Sequence, residues 1–220
     1  MVLPLSSPPH TPLRTQILTA GAALLGILIT AAISRAALGA AAPLWLVAPI
    51  GASAVLVFAV PASPLAQPWP VIGGNMLSAL VGVAAAKAIA APVPAAAVAV
   101  GGAILAMSLA RCLHPPGGAA ALTAVIGGPA VHAAGFGFAL LPVGLNAALL
   151  VLAGMLLNRA TGHSYPHRAP HPAAGAPHPE DLDRALADLG ETLDVQRDDL
   201  DLLFARVAYH AARRHRRPQR

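Results

Sequence analysis

No aspartate or glutamate occurs between Met1 and Pro179, although that stretch carries Arg14, Arg35, Lys87, Arg111, Arg159 and Arg168. The missing carboxylates argue against sodium coupling and against a cation channel. The buried chemistry of that stretch suits an anion. The single cysteine, Cys112, excludes an internal disulfide. No Ser/His/Asp set, HExxH run or cysteine-based metal spacing occurs, so the sequence points away from an enzyme, a metal site or a bound cofactor.

Charge of either sign is scarce. Charged residues make up 10% of the 220 and hydrophobic ones 56%, with a mean hydropathy of +0.66, which excludes an ordinary soluble globule. A helix needs roughly 20 apolar residues to cross a hydrocarbon core of about 30 Å. Windows of that kind run over Gln16–Ser34, Leu44–Val60, Val71–Ala91, Ala95–Ala110 and Phe136–Leu157. A sixth, Gly117–Gly128, is too short to cross alone and is bounded by Pro115-Pro116 and Gly127-Gly128-Pro129. None alternates in polarity as barrel strands do. The expected fold is an all-α membrane protein, a compact bundle of four to six transmembrane segments. The excess positive charge lies in this membrane part, because residues 180–220 hold nine acids against eight bases. It therefore does not indicate a nucleic-acid partner; the expected surroundings are a lipid bilayer, and a homo-oligomer is compatible with them.

Four regions follow from composition: a Pro/Ser lead over 1–15, a membrane domain over 16–158, a Pro/His-rich linker over 159–179 and an amphipathic helical pair over 180–217. Acidic Glu180 and Asp181 open the first tail helix and Gly190 closes it. Asp194 is the expected N-cap of the second, with Leu200, Leu203, Phe204 and Val207 on one face. His163, His167, His171 and His178 in the linker lack the fixed spacing and the cysteines of a metal site. The apolar window Gln16–Ser34 is longer than the core of a cleaved signal, so a retained span is expected. Arg14, Arg159 and Arg168 place both termini in the cytoplasm, in a bacterial inner membrane.

The membrane domain repeats an ordered series. Gly26, Arg35, Pro49-x-Gly51, Asn75 and Gly82 correspond to Gly102, Arg111, Pro115-x-Gly117, Asn146 and Gly154. The series predicts a duplicated three-segment unit with short proline-led half-helices. Three crossings per unit invert the halves relative to each other; two leave them parallel. The length of Leu44–Val60 favours six.

The sharpest local motif is Arg111-Cys112-Leu113-His114-Pro115-Pro116-Gly117-Gly118. Proline fits the first turn of a helix, so a helix is predicted to start at Pro115 or Pro116. A helix N-terminus offers free N–H groups and partial positive charge, which together suit an anion. Gly117 and Gly118 carry no side chain to cover that backbone. Arg111 and His114 could add charge or a proton. Pro49 and Gly51, with Arg35 upstream, present the same device in the first repeat, and Asn75 and Asn146 complete the candidate substrate-binding set. Arg111→Ala or Gly117→Leu is expected to abolish flux and spare the fold.

His114-Pro115-Pro116-Gly117-Gly118-Ala119, followed by Ala121-Leu122, resembles the signature of the HPP family of integral membrane proteins. The runs Gly51–Leu56, Ser63–Pro68 and Val71–Asn75 are similar to that family's pattern as well. The resemblance covers roughly Gln16 to Arg168. It implies a compact domain usually counted as four crossings, and plastid members are implicated in nitrite transport. Many bacterial relatives continue into paired nucleotide-sensing CBS modules, which this sequence lacks. The expected function is a transporter or channel for a small inorganic anion such as nitrite or nitrate. The competing expectation is a membrane-embedded scaffold or sensor whose cytoplasmic helices bind a partner.

Overall fold

A computed structural model describes residues 13–39, 42, 44–160, 164–167, 180, 182–184 and 197–215. Among these residues the secondary structure is helical and no strand occurs. They fall into two compact units, one ending at Pro166 and one beginning at His167. The lead before Leu13, most of the Pro/His linker with His163, His171 and His178, and the tail positions Gly190 and Asp194 lie outside the described residues.

The first unit is set out by its prolines. Helix α1 (Leu13–Leu38) contains none and runs unbroken. Prolines then stand at the first position of α2 (Pro49–Ala59), α4 (Pro92–Leu109), α5 (Pro115–Ile126) and α6 (Pro129–Ala134), where the missing N–H costs nothing. A 3-10 turn (Pro64–Ala66) and a π-turn (Pro70–Gly74) lead into α3 (Asn75–Ala88). A second π-turn (Ala139–Gly144) leads into α7 (Leu145–Ala160). Four segments are long and apolar enough to cross a membrane: Leu13–Leu38, Pro70–Ala88, Pro92–Leu109 and Ala139–Arg159. The window Leu44–Val60, from which six crossings were expected, is helical only over the 11 residues of α2. That is about 17 Å of helix, short of the roughly 30 Å hydrocarbon core. Helix α5, at 12 residues, falls short in the same way.

Neighbouring residues nevertheless give six helices of the first unit a direction. Gly74 faces Met107 and Gly102 faces Val81, so α3 and α4 are antiparallel. Gly117 faces Gly74, and Ala121 and Ala124 face Gly82, so α5 runs with α3. Gly144 lies against Met76 and Gly135 against Lys87, which makes α7 antiparallel to α3. The Val47 N–H meets Asn146 while Val57 meets Gly154 and Asn158, so α2 runs with α7. Ser34 meets Asn146 and Gly26 meets Phe58, which sets α1 against both. Along the chain these six helices alternate in direction, α1, α3 and α5 running one way and α2, α4 and α7 the other. Leu13 and Ala160 end up at the same end of the bundle.

Small residues hold these passes together. Along α1 the buried residues are Ala22, Gly26, Thr30 and Ser34, and along α4 they are Ala95, Ala99, Ala103 and Met107. A spacing of four puts each set on a single stripe. The rest of each helix, including Leu24, Leu28, Ile33, Ile104 and Leu105, is exposed apolar surface of the kind a bilayer covers. Between α3 and α5 the approach is closest. A Cβ on Gly82 would stand 2.4 Å from the Ala121 carbonyl oxygen, and one on Gly74 would stand 2.7 Å from that of Cys112.

In the second unit, α8 (Arg197–His215) opens with Asp198 and Asp199 in its first turn, as the helix dipole favours. Arg197 pairs with Asp183 and, at 3.4 Å, with Asp201, and His167 approaches Asp199 at 2.8 Å.

Candidate functional site

Two of the proline-led helices, α2 and α5, meet at a chain of buried polar side chains. His114 occupies the N-cap of α5 with extended backbone (φ −146°), which turns its ring into the bundle, where it is fully buried. Its Nδ1 lies 2.8 Å from the Leu65 carbonyl oxygen. A carbonyl can only accept, so Nδ1 carries a hydrogen and, in the neutral ring, Nε2 is left as an acceptor. Ser53 Oγ stands 2.8 Å from Nε2 and donates to it. Asn75 Nδ2 donates in turn to Ser53 Oγ at 3.1 Å and to the Val71 carbonyl at 2.8 Å. One chain of hydrogen bonds thus ties α2, α3, α5 and the 3-10 turn. Ser53 Oγ also lies 3.2 Å from the Pro49 carbonyl. A protonated His114 donates through both nitrogens, and the Ser53 hydroxyl then has Pro49 as its acceptor. Either protonation state leaves every member of this chain a partner.

Beside it, Asn75 Oδ1 and Ser78 Oγ are buried without a hydrogen-bond partner, one turn apart on α3. Burying such a group costs about 1–3 kcal/mol unless something satisfies it. The sequence did not single out Ser53 or Ser78 as site residues. The available signal was their position: Ser53 lies one turn into a proline-led helix, and Ser78 lies one turn after Asn75, each a hydroxyl in an otherwise apolar window.

The remaining candidates separate. Arg35 ends α1 and Arg111 follows α4; both are exposed. Neither joins His114. Arg111 adopts φ +53°, a left-handed conformation unusual for a side-chain-bearing residue, and turns the chain out of α4. Asn146 is fully buried and spent on structure: it donates to Ser34 Oγ at 2.7 Å and to the Trp45 carbonyl at 3.1 Å, and accepts from the Val47 N–H at 3.0 Å.

At the two proline-led turns the backbone donors next in line are already bonded. The Ile50 and Gly51 N–H groups donate to Val47 and Ala48 carbonyls, each at 3.0 Å, and the Gly117 N–H donates to the His114 carbonyl at 2.8 Å. Pro49 and Pro116 are buried, and Pro115 is exposed. Gly117 was expected to leave backbone open to a ligand. In the structure that space is filled: a Cβ there would meet Ser78 Oγ at 2.6 Å, the Gly74 carbonyl at 2.9 Å and Met107 Sδ at 2.9 Å. Gly118 and Gly51 face open space. Gly51 borders a hollow of about 510 Å³ with Ile27, Trp45 and Val47. Among the described residues no group of three or more His, Cys, Asp or Glu side chains could hold a metal ion.

Residues 8–166 match the sequence model of the family described as HPP, transmembrane region. Two transmembrane proteins of Dictyostelium discoideum are similar. One is 40% identical over 151 residues, covering 66% of this chain and 52% of the relative. The other is 33% identical over 147 residues, covering 64% and 47%. The chain therefore spans about half the length of the curated relatives it matches. No solved structure matches. With that family's match running from before α1 to beyond α7, and four apolar helices long enough to cross a bilayer, the chain is an integral membrane protein belonging to the HPP transmembrane family.

Proposed function

We propose that this protein is a permease for a small inorganic oxyanion of the nitrite or nitrate type. The observation that carries the reading is the crossing of two oppositely directed half-helices at His114, Ser53 and Asn75, inside a domain with no carboxylate. Broken passes that meet in the core are where membrane carriers place a substrate, because only there does irregular backbone face polar space instead of lipid. The buried hydroxyl of Ser78 adds a donor with nothing yet to serve. His114 is the buried histidine of the membrane domain, and its two hydrogen-bonding arrangements make it the residue to accept a co-transported proton. Arg35 and Arg111, both exposed, draw anions toward the bundle. The basic residues flanking the membrane helices, Arg14 and Arg159 foremost, orient both ends of the first unit to the cytoplasm of a bacterial inner membrane.

Purified protein in sealed liposomes tests this by counter-flow of nitrite, nitrate, formate, chloride and sulfate. Uptake of a small monovalent oxyanion that survives removal of residues 180–220 is expected. Absence of flux for all five, from protein that remains folded in the bilayer, would sink the permease reading in favour of a scaffold that binds a partner through its tail.

A further inference from the structure

A second hollow, of about 450 Å³, lies at the end of the first unit away from Leu13 and Ala160, where α3, α4, α5 and α6 converge. Its lining side chains, such as Val83, Ala95, Ala124 and Val131, are apolar apart from Lys87 and His132, which are both exposed. That volume suits a small ligand or a single charged headgroup. Lys87 has no acid to answer its charge anywhere in residues 13–166, because that part of the sequence contains none. What it has is the ring of Phe136, with Nζ 6.0 Å from the centroid, at the outer limit of a cation–π contact. Gly135 (φ +53°) keeps space beside the ammonium: even a Cβ there would stand 3.9 Å from Nζ. The conformation also disfavours any side chain at that position. His132 is fixed at the rim by a 2.8 Å bond from its Nε2–H to the Val125 carbonyl in the last turn of α5. Its Nδ1 is not engaged by that bond.

We infer that the Lys87–His132 hollow is a binding site for an oxyanion, the ligand chemistry shared by a phospholipid phosphate and a free aqueous anion. An ammonium over an apolar, acid-free cavity lacks a counter-charge, and an oxyanion supplies it together with acceptors for the ammonium hydrogens. The inference goes beyond transport, since binding here requires no passage through the bundle.

The test is ligand-dependent thermal stabilisation of the full chain in neutral detergent, titrated separately with nitrite, inorganic phosphate and short-chain phosphatidic acid. At least one titration is expected to raise the melting temperature saturably. Lys87→Gln should weaken that ligand about tenfold or more, the scale of losing one charge-assisted hydrogen bond. Lys87→Arg should hold it within about threefold, and Arg159→Gln, at the other end of the bundle, should leave it unchanged. Saturation by phosphatidic acid alone supports a lipid phosphate as the source; saturation by nitrite or phosphate supports an aqueous anion. Should Lys87→Gln fail to fold, Ala86→Leu, which narrows the hollow and keeps both polar groups, takes its place, and weakened binding there supports the site. No stabilisation by any of the three, equal loss in Arg159→Gln, or undiminished affinity in the Lys87 or Ala86 variant overturns it.

Discussion

The two proline-led turns began from matching sequence and ended in different surroundings. Pro49 and Pro115 each open a short helix, each has a glycine two residues on, and the helices point in opposite directions. Ala48 precedes the first and His114 the second. Gly51 looks onto a hollow, whereas Gly117 is pressed against α3 and α4. One half supplies open space beside its turn; the other supplies the buried ring and the tight packing. What separates them is one side chain at the N-cap and the small-residue seam of Gly74, Ser78 and Gly82 that α3 offers to α5.

Substituting the paired glycines should produce the widest contrast. Gly117→Leu must displace Ser78, the Gly74 carbonyl and Met107, and overpacking of this kind costs about 3 kcal/mol or more. Gly51→Leu enters open space and should leave thermal stability within about 1 kcal/mol of the starting protein. Melting of the two variants in the same detergent checks the pair, and equal losses would remove the asymmetry. Gly117→Leu therefore cannot serve as the fold-sparing block that the sequence suggested. His114→Ala should come next, leaving the Leu65 carbonyl and Ser53 without their partner at about 1–3 kcal/mol, and it should abolish flux where Ala48→Ser does not. Of the two asparagines, Asn146→Ala should destabilise more than Asn75→Ala. It frees the Val47 N–H, Ser34 and the Trp45 carbonyl, against Ser53 and the Val71 carbonyl, and differential melting should resolve about 1 kcal/mol between them. Removing residues 197–215 should have the smallest effect, with initial uptake rates unchanged within error.

Much of the fold was legible because lipid-facing helices state their length in apolar residues. The windows at Gln16–Ser34, Val71–Ala91, Ala95–Ala110 and Phe136–Leu157 each returned as a long helix with ends shifted by a few positions. Prolines announced the starts of α2 and α5 for a simple steric reason. Leu44–Val60 misled because apolar composition does not separate helix from irregular backbone packed inside a bundle; Asn146, a hundred residues away, is what holds Trp45 and Val47 in place. The site was legible in part. His114 and Asn75 were chosen for local reasons and prove to be linked, but their link is Ser53, on another helix. The Leu65 carbonyl that fixes the imidazole hydrogen is a backbone atom with no signature at all. Arg35 and Arg111 matched in sequence, yet both are exposed and neither bonds to His114, so correspondence along the chain did not bring them to one site.

Both asparagines stand just past a π-turn, Asn75 after Pro70–Gly74 and Asn146 after Ala139–Gly144. A π-turn holds one residue more than the α-helix it interrupts. The extra residue before Asn75 turns everything beyond it by about 100° relative to an unbroken α-helix, one residue's step around the axis, and so sets the face on which Asn75 meets Ser53. Before Asn146 the turn is also kinked, with Leu141 leaving helical geometry (φ −130°), so the face that Asn146 shows to Ser34 is set by a bend as well as by a rotation.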